Sequence, residues 1–194
     1  MAFSPFAYVA AAAIVLIGSA VPVTAQDLGG SQARFSGTYV GANVGVASRR
    51  FPNMTSGTAL TGGVQAGFTH QAGPLVVGGE LDLGHAGGQK LHSSEGVVRQ
   101  DWNGAAKLKA GIALGDTLLF GTGGFGLAKM RGSRDGGTWE EAKILGAGVE
   151  QSIGEGRSIK VEYQRSRFDD IKTPTGRPVD VTSHAVKAGM NFRF

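Results

Sequence analysis

Beyond about residue 35 the chain is written in twos. In the last stretch Val186, Ala188, Met190, Phe192 and Phe194 share one parity, and Lys187, Gly189, Asn191 and Arg193 share the other. Successive side chains of a β-strand leave opposite faces, so this alternation predicts a strand with one apolar and one polar face. The same pattern sets Leu75, Val77, Leu81 and Leu83 against Glu80 and Asp82, then Leu108, Ala110 and Ile112 against Lys107 and Lys109. It returns with Ile159, Val161 and Tyr163 against Lys160, Glu162 and Gln164. Read between turn signals, the chain predicts eight strands, at 35–48, 59–71, 75–86, 97–114, 117–130, 139–153, 157–169 and 180–194, and no convincing helix. The faces of the fifth and sixth are left open: Leu119, Phe125 and Leu127 share one parity, but Lys143 and Leu145 also share one.

The connections fall into two kinds in strict alternation. Ala72-Gly73-Pro74, Gly115-Asp116 and Gly154-Glu155-Gly156 are tight, whereas 49–58, 87–96, 131–138 and 170–179 are longer and polar. Short turns at one end and long loops at the other, with an even strand number, are the asymmetry of outer-membrane barrels. The strands also meet or exceed the roughly 9–11 residues that a tilted strand needs to cross a bilayer. The expected fold is therefore all-β, an eight-stranded antiparallel up-and-down transmembrane β-barrel. Basic residues at mid-depth on the lipid face would cost about 2–4 kcal/mol each, so the charged parity must face the lumen. With the last loop centred near residues 174 and 175, Glu162 falls opposite Lys187, Lys160 opposite Gly189 and Val161 opposite Ala188. A slip by one residue would break every match. Glu80, Asp82, Lys107, Lys109, Lys160, Glu162, Lys187 and Arg193 are expected to form a buried charge network. Eight strands leave an interior that side chains can fill, so no open pore is expected.

Aromatic residues fall into two expected girdles: Phe35, Tyr39, Phe68, Phe120, Phe192 and Phe194 near the short turns, and Phe51, Trp102, Trp139 and Phe168 near the long loops.

Composition narrows the setting. The first 25 residues carry no Lys, Arg, Asp or Glu, are apolar from Ala7 to Ile17, and end in Val23-Thr24-Ala25. Small residues at −3 and −1 predict a signal peptide over 1–25 cleaved between Ala25 and Gln26; Pro22 and the short apolar run argue against an uncleaved anchor. Residues 26–34 then form a periplasmic lead and 35–194 the barrel domain. There is no cysteine, so disulfides and thiolate metal sites are excluded. The net charge of +4 is mild and scattered, without an aromatic-interleaved basic patch, so nucleic acid is not an expected partner.

The runs Tyr39-Val-Gly-Ala-Asn-Val-Gly, Gly62-Gly-Val-Gln-Ala-Gly-Phe, Val77-Gly-Gly-Glu-Leu-Asp-Leu, Leu119-Phe-Gly-Thr-Gly-Gly-Phe-Gly-Leu-Ala, Gly146-Ala-Gly-Val-Glu, Val161-Glu-Tyr and Gly189-Met-Asn-Phe-Arg-Phe, in this order, resemble the opacity-type outer-membrane proteins. The resemblance is to the small outer-membrane immunogenic barrels of alphaproteobacteria in particular, and covers essentially the whole chain after the leader. It implies a monomeric barrel of the bacterial outer membrane that is assembled by the barrel-assembly machinery through its C-terminal strand, with Met190, Phe192 and Phe194. It further implies a structural and antigenic surface role, in some members with adhesion or envelope integrity, and no enzymatic reaction.

Two other classes compete. Some eight-stranded barrels resemble lipid A-modifying hydrolases; the candidates here are His92-Ser93-Ser94-Glu95 and Ser183-His184. A Ser nucleophile needs a His within reach and a third group that orients it. Ser183 and His184 lie on opposite faces, and no enzyme activity is expected. A soluble periplasmic lipocalin-like carrier would share the eight strands but reverse them, with apolar residues inside. Neither metal nor cofactor is expected: His70, His85, His92 and His184 lack ligand spacing, and Gly121-Thr-Gly-Gly-Phe-Gly sits within a strand with no following helix. The remaining candidate site is the outer rim, where Arg49, Arg50, Arg99, Arg131, Arg134, Arg165 and Arg167 lie where strands meet long loops. Arg49, Arg50, Arg131, Arg134 and Arg165 are the candidate contacts to lipopolysaccharide phosphate, because the guanidinium fork donates two hydrogen bonds at once.

Overall fold

The computed structural model of the protein describes residues 33–50, 57–86, 91–93, 96–131, 138–172 and 178–194. The expected leader, with its Ala25–Gln26 cleavage point, lies outside these residues, as do Phe51, Ser94, Glu95 and Arg134.

Eight long strands form the wall: β1 (Gly37–Arg50), β2 (Gly57–Ala72), β3 (Leu75–Ala86), β5 (Gly96–Leu114), β6 (Thr117–Arg131), β7 (Thr138–Gly154), β8 (Arg157–Lys172) and β9 (Pro178–Arg193). A three-residue β4 (Leu91–Ser93) pairs only with the start of β5, extending that strand as a small hairpin at the long-loop end. From the sequence this hairpin reads as part of the 87–96 loop, because three residues are too few to show a period. Each long strand pairs antiparallel with its chain neighbour, and β1 pairs with β9, so the sheet closes on itself without an edge. Closure satisfies the backbone hydrogen bonds around the wall, as a strand structure in hydrocarbon requires.

The register follows from the alternation. Glu162 faces Lys187, Val161 faces Ala188 and Lys160 faces Gly189; Glu80 faces Lys107 across β3 and β5. The short turns owe their tightness to residues in the left-handed region, with φ of +59° at Gly73 and +64° at Gly115. Glycine enters this region without the Cβ penalty that other residues bear. The strands run from 12 to 19 residues, so several outreach a bilayer.

Inside and outside are sharply divided. Val44, Val64, Leu83, Leu108, Leu145, Val161 and Val186 lie exposed on the outer wall, and Glu80, Lys107, Lys109, Glu150, Lys160, Glu162 and Asn191 are buried within it. This is the reverse of a lipocalin-like carrier. It also settles the two open strands. In β6 Leu118, Phe120 and Thr122 point inward and Leu119 and Phe125 outward; in β7 Ile144 and Glu150 are buried, whereas Lys143 and Leu145 are exposed. Lys143 therefore shares the outer face with Leu145, near the long-loop end where β7 meets Arg167 of β8.

One expectation about the aromatic residues fails. Phe35, Tyr39, Phe120 and Phe168 are buried in the lumen, not displayed as parts of a girdle. Tyr39, Phe120 and Phe168 share the inward parity of their strands, and Phe35 precedes β1 and is buried; position along the axis alone does not separate a ring that meets lipid from one that fills the bore. Phe68, Phe192, Phe194 and Trp102 are exposed on the outer side.

Candidate functional site

The lumen is filled in three layers. At the short-turn end Phe35, Val76, Ala113, Leu118 and Phe120 form an apolar cluster. Phe35 precedes β1 and is tied across the mouth by its backbone N–H, which donates to Gln71 Oε1, and by its carbonyl, which accepts from Thr69 Oγ1.

Above this cluster lie the charges. Glu80 accepts from Tyr39 Oη at 2.8 Å and from Lys160 Nζ at 2.7 and 2.8 Å. Lys107 Nζ lies 2.8 Å from Glu80 and donates to both oxygens of Glu162 at 3.1 Å. It also stands 2.6 Å from Asp82 Oδ2, an ion pair off the line of a hydrogen bond. Thr122 Oγ1 donates to Glu162, and Lys187 Nζ is 3.9 Å from Asp82. A second centre forms on Glu150, which receives Lys109 at 2.5 Å, Ser158 at 2.6 Å, Asn191 at 3.2 Å and Arg193 at 3.4 Å. Lys109 lies 4.2 Å from the centre of the Phe120 ring, so the charged layer rests on the apolar one through a cation–π contact. Six of the eight residues expected from sequence, Glu80, Asp82, Lys107, Lys160, Glu162 and Lys187, are linked in the first of these groups, and the other two, Lys109 and Arg193, gather on Glu150 in the second.

Glu150 and Tyr39 were missed. Glu150 sits directly opposite Lys160 across the 154–156 turn, so the hairpin reasoning that paired Glu162 with Lys187 would also have placed it inside. Tyr39 carries a weaker signal, since it shares the parity of Asn43, opposite Val40, Val44 and Val46, but a phenol suits an interfacial girdle as well as a bore. An amide chain completes the layer, with Asn43 donating to Gln65 and Gln65 to Asn191.

At the long-loop end the lumen widens into a cavity of about 80 Å³. Its walls are small or neutral residues, among them Ala47, Ala59, Ala105, Ala128, Ala142, Thr61, Asn103 and Ser183, and Lys187 and Gln164 are also part of the lining. Phe168 and Ile144 supply the larger apolar surface.

On the outer rim, Arg165 and Arg167 of β8 are exposed on the outward parity of that strand, along with Lys143 of β7. Arg165 stands opposite His184, whose Nδ1 is 2.6 Å from Tyr163 Oη. Arg49, Arg50 and Arg131 occupy strand ends at the same level. Ser183 is buried on the lumen side, away from this His184–Tyr163 pair, so the two do not form a nucleophile and base. Among the described residues, no three His, Asp or Glu side chains converge as a metal site.

Comparison with known proteins gives concordant results. A family model described as the outer membrane protein beta-barrel domain matches residues 11–194. The 22 kDa outer membrane protein of Rhizobium leguminosarum bv. viciae is 32% identical over 144 residues, which is 69% of this chain and 65% of that protein. The match therefore spans a little under two thirds of that relative's length. Among solved structures, Neisserial surface protein A superposes with a TM-score of 0.62 at 12% identity, covering 82% of this chain and 98% of the other. Ail, the attachment invasion locus protein of Yersinia pestis, gives 0.53 at 14% identity, covering 81% and 99%. At these identities the two structures are similar in fold alone.

Proposed function

The chain belongs to the outer-membrane β-barrel protein family and is a protein of the bacterial outer membrane, and from that premise we propose that it is a structural, surface-exposed barrel that acts as a closed monomer. Its work is to organise the envelope and to present loops for adhesion or as antigen, without transport or catalysis. The observation that carries this reading is the filled bore. An apolar cluster and two groups of buried ion pairs lie across it, and the apolar residues that a soluble protein would hide are spread over the outer wall. A hydrolase would need its Ser on the face that carries His184, and Ser183 is on the other.

Lipopolysaccharide is the partner this reading assigns to the rim. Arg165 and Arg167 are exposed on the outward parity of β8 toward its long-loop end, and Arg binds phosphate through its paired donors. Replacing Arg131 and Arg165 together by Ser is expected to reduce co-purifying lipopolysaccharide several-fold; unchanged co-purification would count against the assignment. The last strand, with Phe192 and Phe194, is the segment offered to the assembly machinery.

The functional test is conductance. The purified barrel in a planar bilayer is expected to add no stable conducting steps, and steady ohmic steps would overturn the closed-barrel reading. Protease or antibody access to the 51–56 segment on intact cells tests surface display independently.

A further inference from the structure

The cavity above the charged layer has an unusual balance. Among the described residues the lumen holds five cations, Lys107, Lys109, Lys160, Lys187 and Arg193, and four carboxylates, Glu80, Asp82, Glu150 and Glu162. Four of the cations have a close carboxylate partner, at 2.5 to 3.4 Å. Lys187 does not: its nearest carboxylate oxygen among the described residues is 3.9 Å away on Asp82, and that oxygen is already engaged by Lys107 at 2.6 Å. Lys187 is nonetheless only 8% exposed and forms part of the cavity lining, which among the described residues contains no carboxylate. A cation removed from water needs a counter-charge or a full set of acceptors.

The other lining groups are hydroxyls and amides. Two of them are buried with an atom that finds no hydrogen-bond partner, Thr61 Oγ1 and Gln164 Oε1. The Gln164 amide now donates to Ser166 Oγ. A half-turn of this amide would let its carbonyl accept from Ser166 and turn its two N–H donors away from that hydroxyl.

We propose that this vestibule is a binding site for one small inorganic anion of chloride or nitrate size, held by Lys187 with Thr61 and Gln164. The volume suits it, since a single water needs only about 10–15 Å³ of such space and the cavity has about 80 Å³. It is a dead end, because the ion-pair layer and the Phe35–Phe120 cluster lie beneath it; the anion binds and does not pass. Occupancy would give Lys187 a close counter-charge and complete the polar contacts of Thr61 and Gln164.

The test uses the purified barrel in a non-ionic detergent, with chloride as the probe and the ³⁵Cl NMR linewidth as the readout. Three proteins are compared: the unaltered barrel, Lys187→Met, and Ala47→Leu, which fills the vestibule and leaves every charge in place. Asp82 keeps Lys107 in the first variant, so the network has no reason to collapse, and a mobility shift on boiling in SDS checks that each variant is folded. The unaltered barrel is expected to broaden the line beyond a detergent blank, nitrate is expected to reverse this, and both variants are expected to lose most of the effect. Should Lys187→Met fail to fold, Ala47→Leu decides alone. Equal broadening by all three proteins would place chloride on the surface, loss in Lys187→Met alone would place it outside the vestibule, and no broadening would leave only water there. Each of these results overturns the proposal.

Discussion

Glu150 is wholly buried yet gathers Lys109, Ser158, Asn191 and Arg193. Neutralising it leaves Lys109 without its carboxylate in a site that water does not reach. Glu150→Gln is therefore expected to destabilise the barrel by about 3–5 kcal/mol, the usual cost of breaking a buried pair from one side. Lys109→Met combined with Glu150→Gln should cost clearly less than the sum of the two single changes, because partners in contact couple; urea unfolding of the four proteins measures this. Gly67 has a different constraint. A Cβ there would lie 2.5 Å from Cζ and Oη of Tyr39, so Gly67→Ala must push the ring off Glu80, at about 1–3 kcal/mol for forced overpacking. Gly62, where a Cβ would meet nothing closer than a carbonyl at 3.9 Å, should accept Ala with little change. The Gly67 requirement was not legible in the sequence: a chain with 33 glycines does not reveal which of them stand against a ring. The lumen charges were legible, because lipid forbids the alternative parity.

At the scale of the strand, position and register could be read from the chain, since a period of two over a dozen residues tolerates no slip. β3 runs from Leu75 to Ala86, the bounds its alternation suggests, and the β8–β9 pairing follows hairpin geometry. β6 and β7 resisted for a physical reason. Gly121, Gly123, Gly124 and Gly126 remove the side chains that would mark a face, and Lys143 lies outward, where the chain nears the polar region and a charge is tolerated. Depth should therefore govern the response to charge on the outer wall. Leu108→Arg, on an exposed mid-strand position, is expected to cost about 2–4 kcal/mol in a bilayer, whereas Leu145→Arg, next to Arg165 in register, should cost less; unfolding from lipid vesicles compares them. Phe194 lies outside the packed structure at 76% exposure. Phe194→Ala should leave the stability of the refolded barrel nearly unchanged while lowering its yield in outer membranes, if the last strand serves assembly.

For the molecule as a whole, a closed sheet with a charged interior and an apolar exterior can rest only in a membrane. The same sequence with its parity reversed would be a soluble carrier. The proposed contacts at the rim and in the vestibule depend on that division, and so does the absence of conductance expected of the filled bore. Because the chain contains no cysteine, a spin label can be placed at single sites along β5 without background. Ala105 is buried in the bore, and Leu108 and Ala110 lie exposed on the wall. The decisive measurement is the collision rate of labels at Ala105, Ala106, Leu108 and Ala110 with oxygen and with a water-soluble nickel chelate, for the barrel in lipid bilayers. High oxygen and low nickel access at 106, 108 and 110, with low oxygen access at 105, is the expected result. Lipid-like access at 105 with nickel access at 108 and 110, or no alternation along the strand, would contradict a membrane barrel with its charges inside.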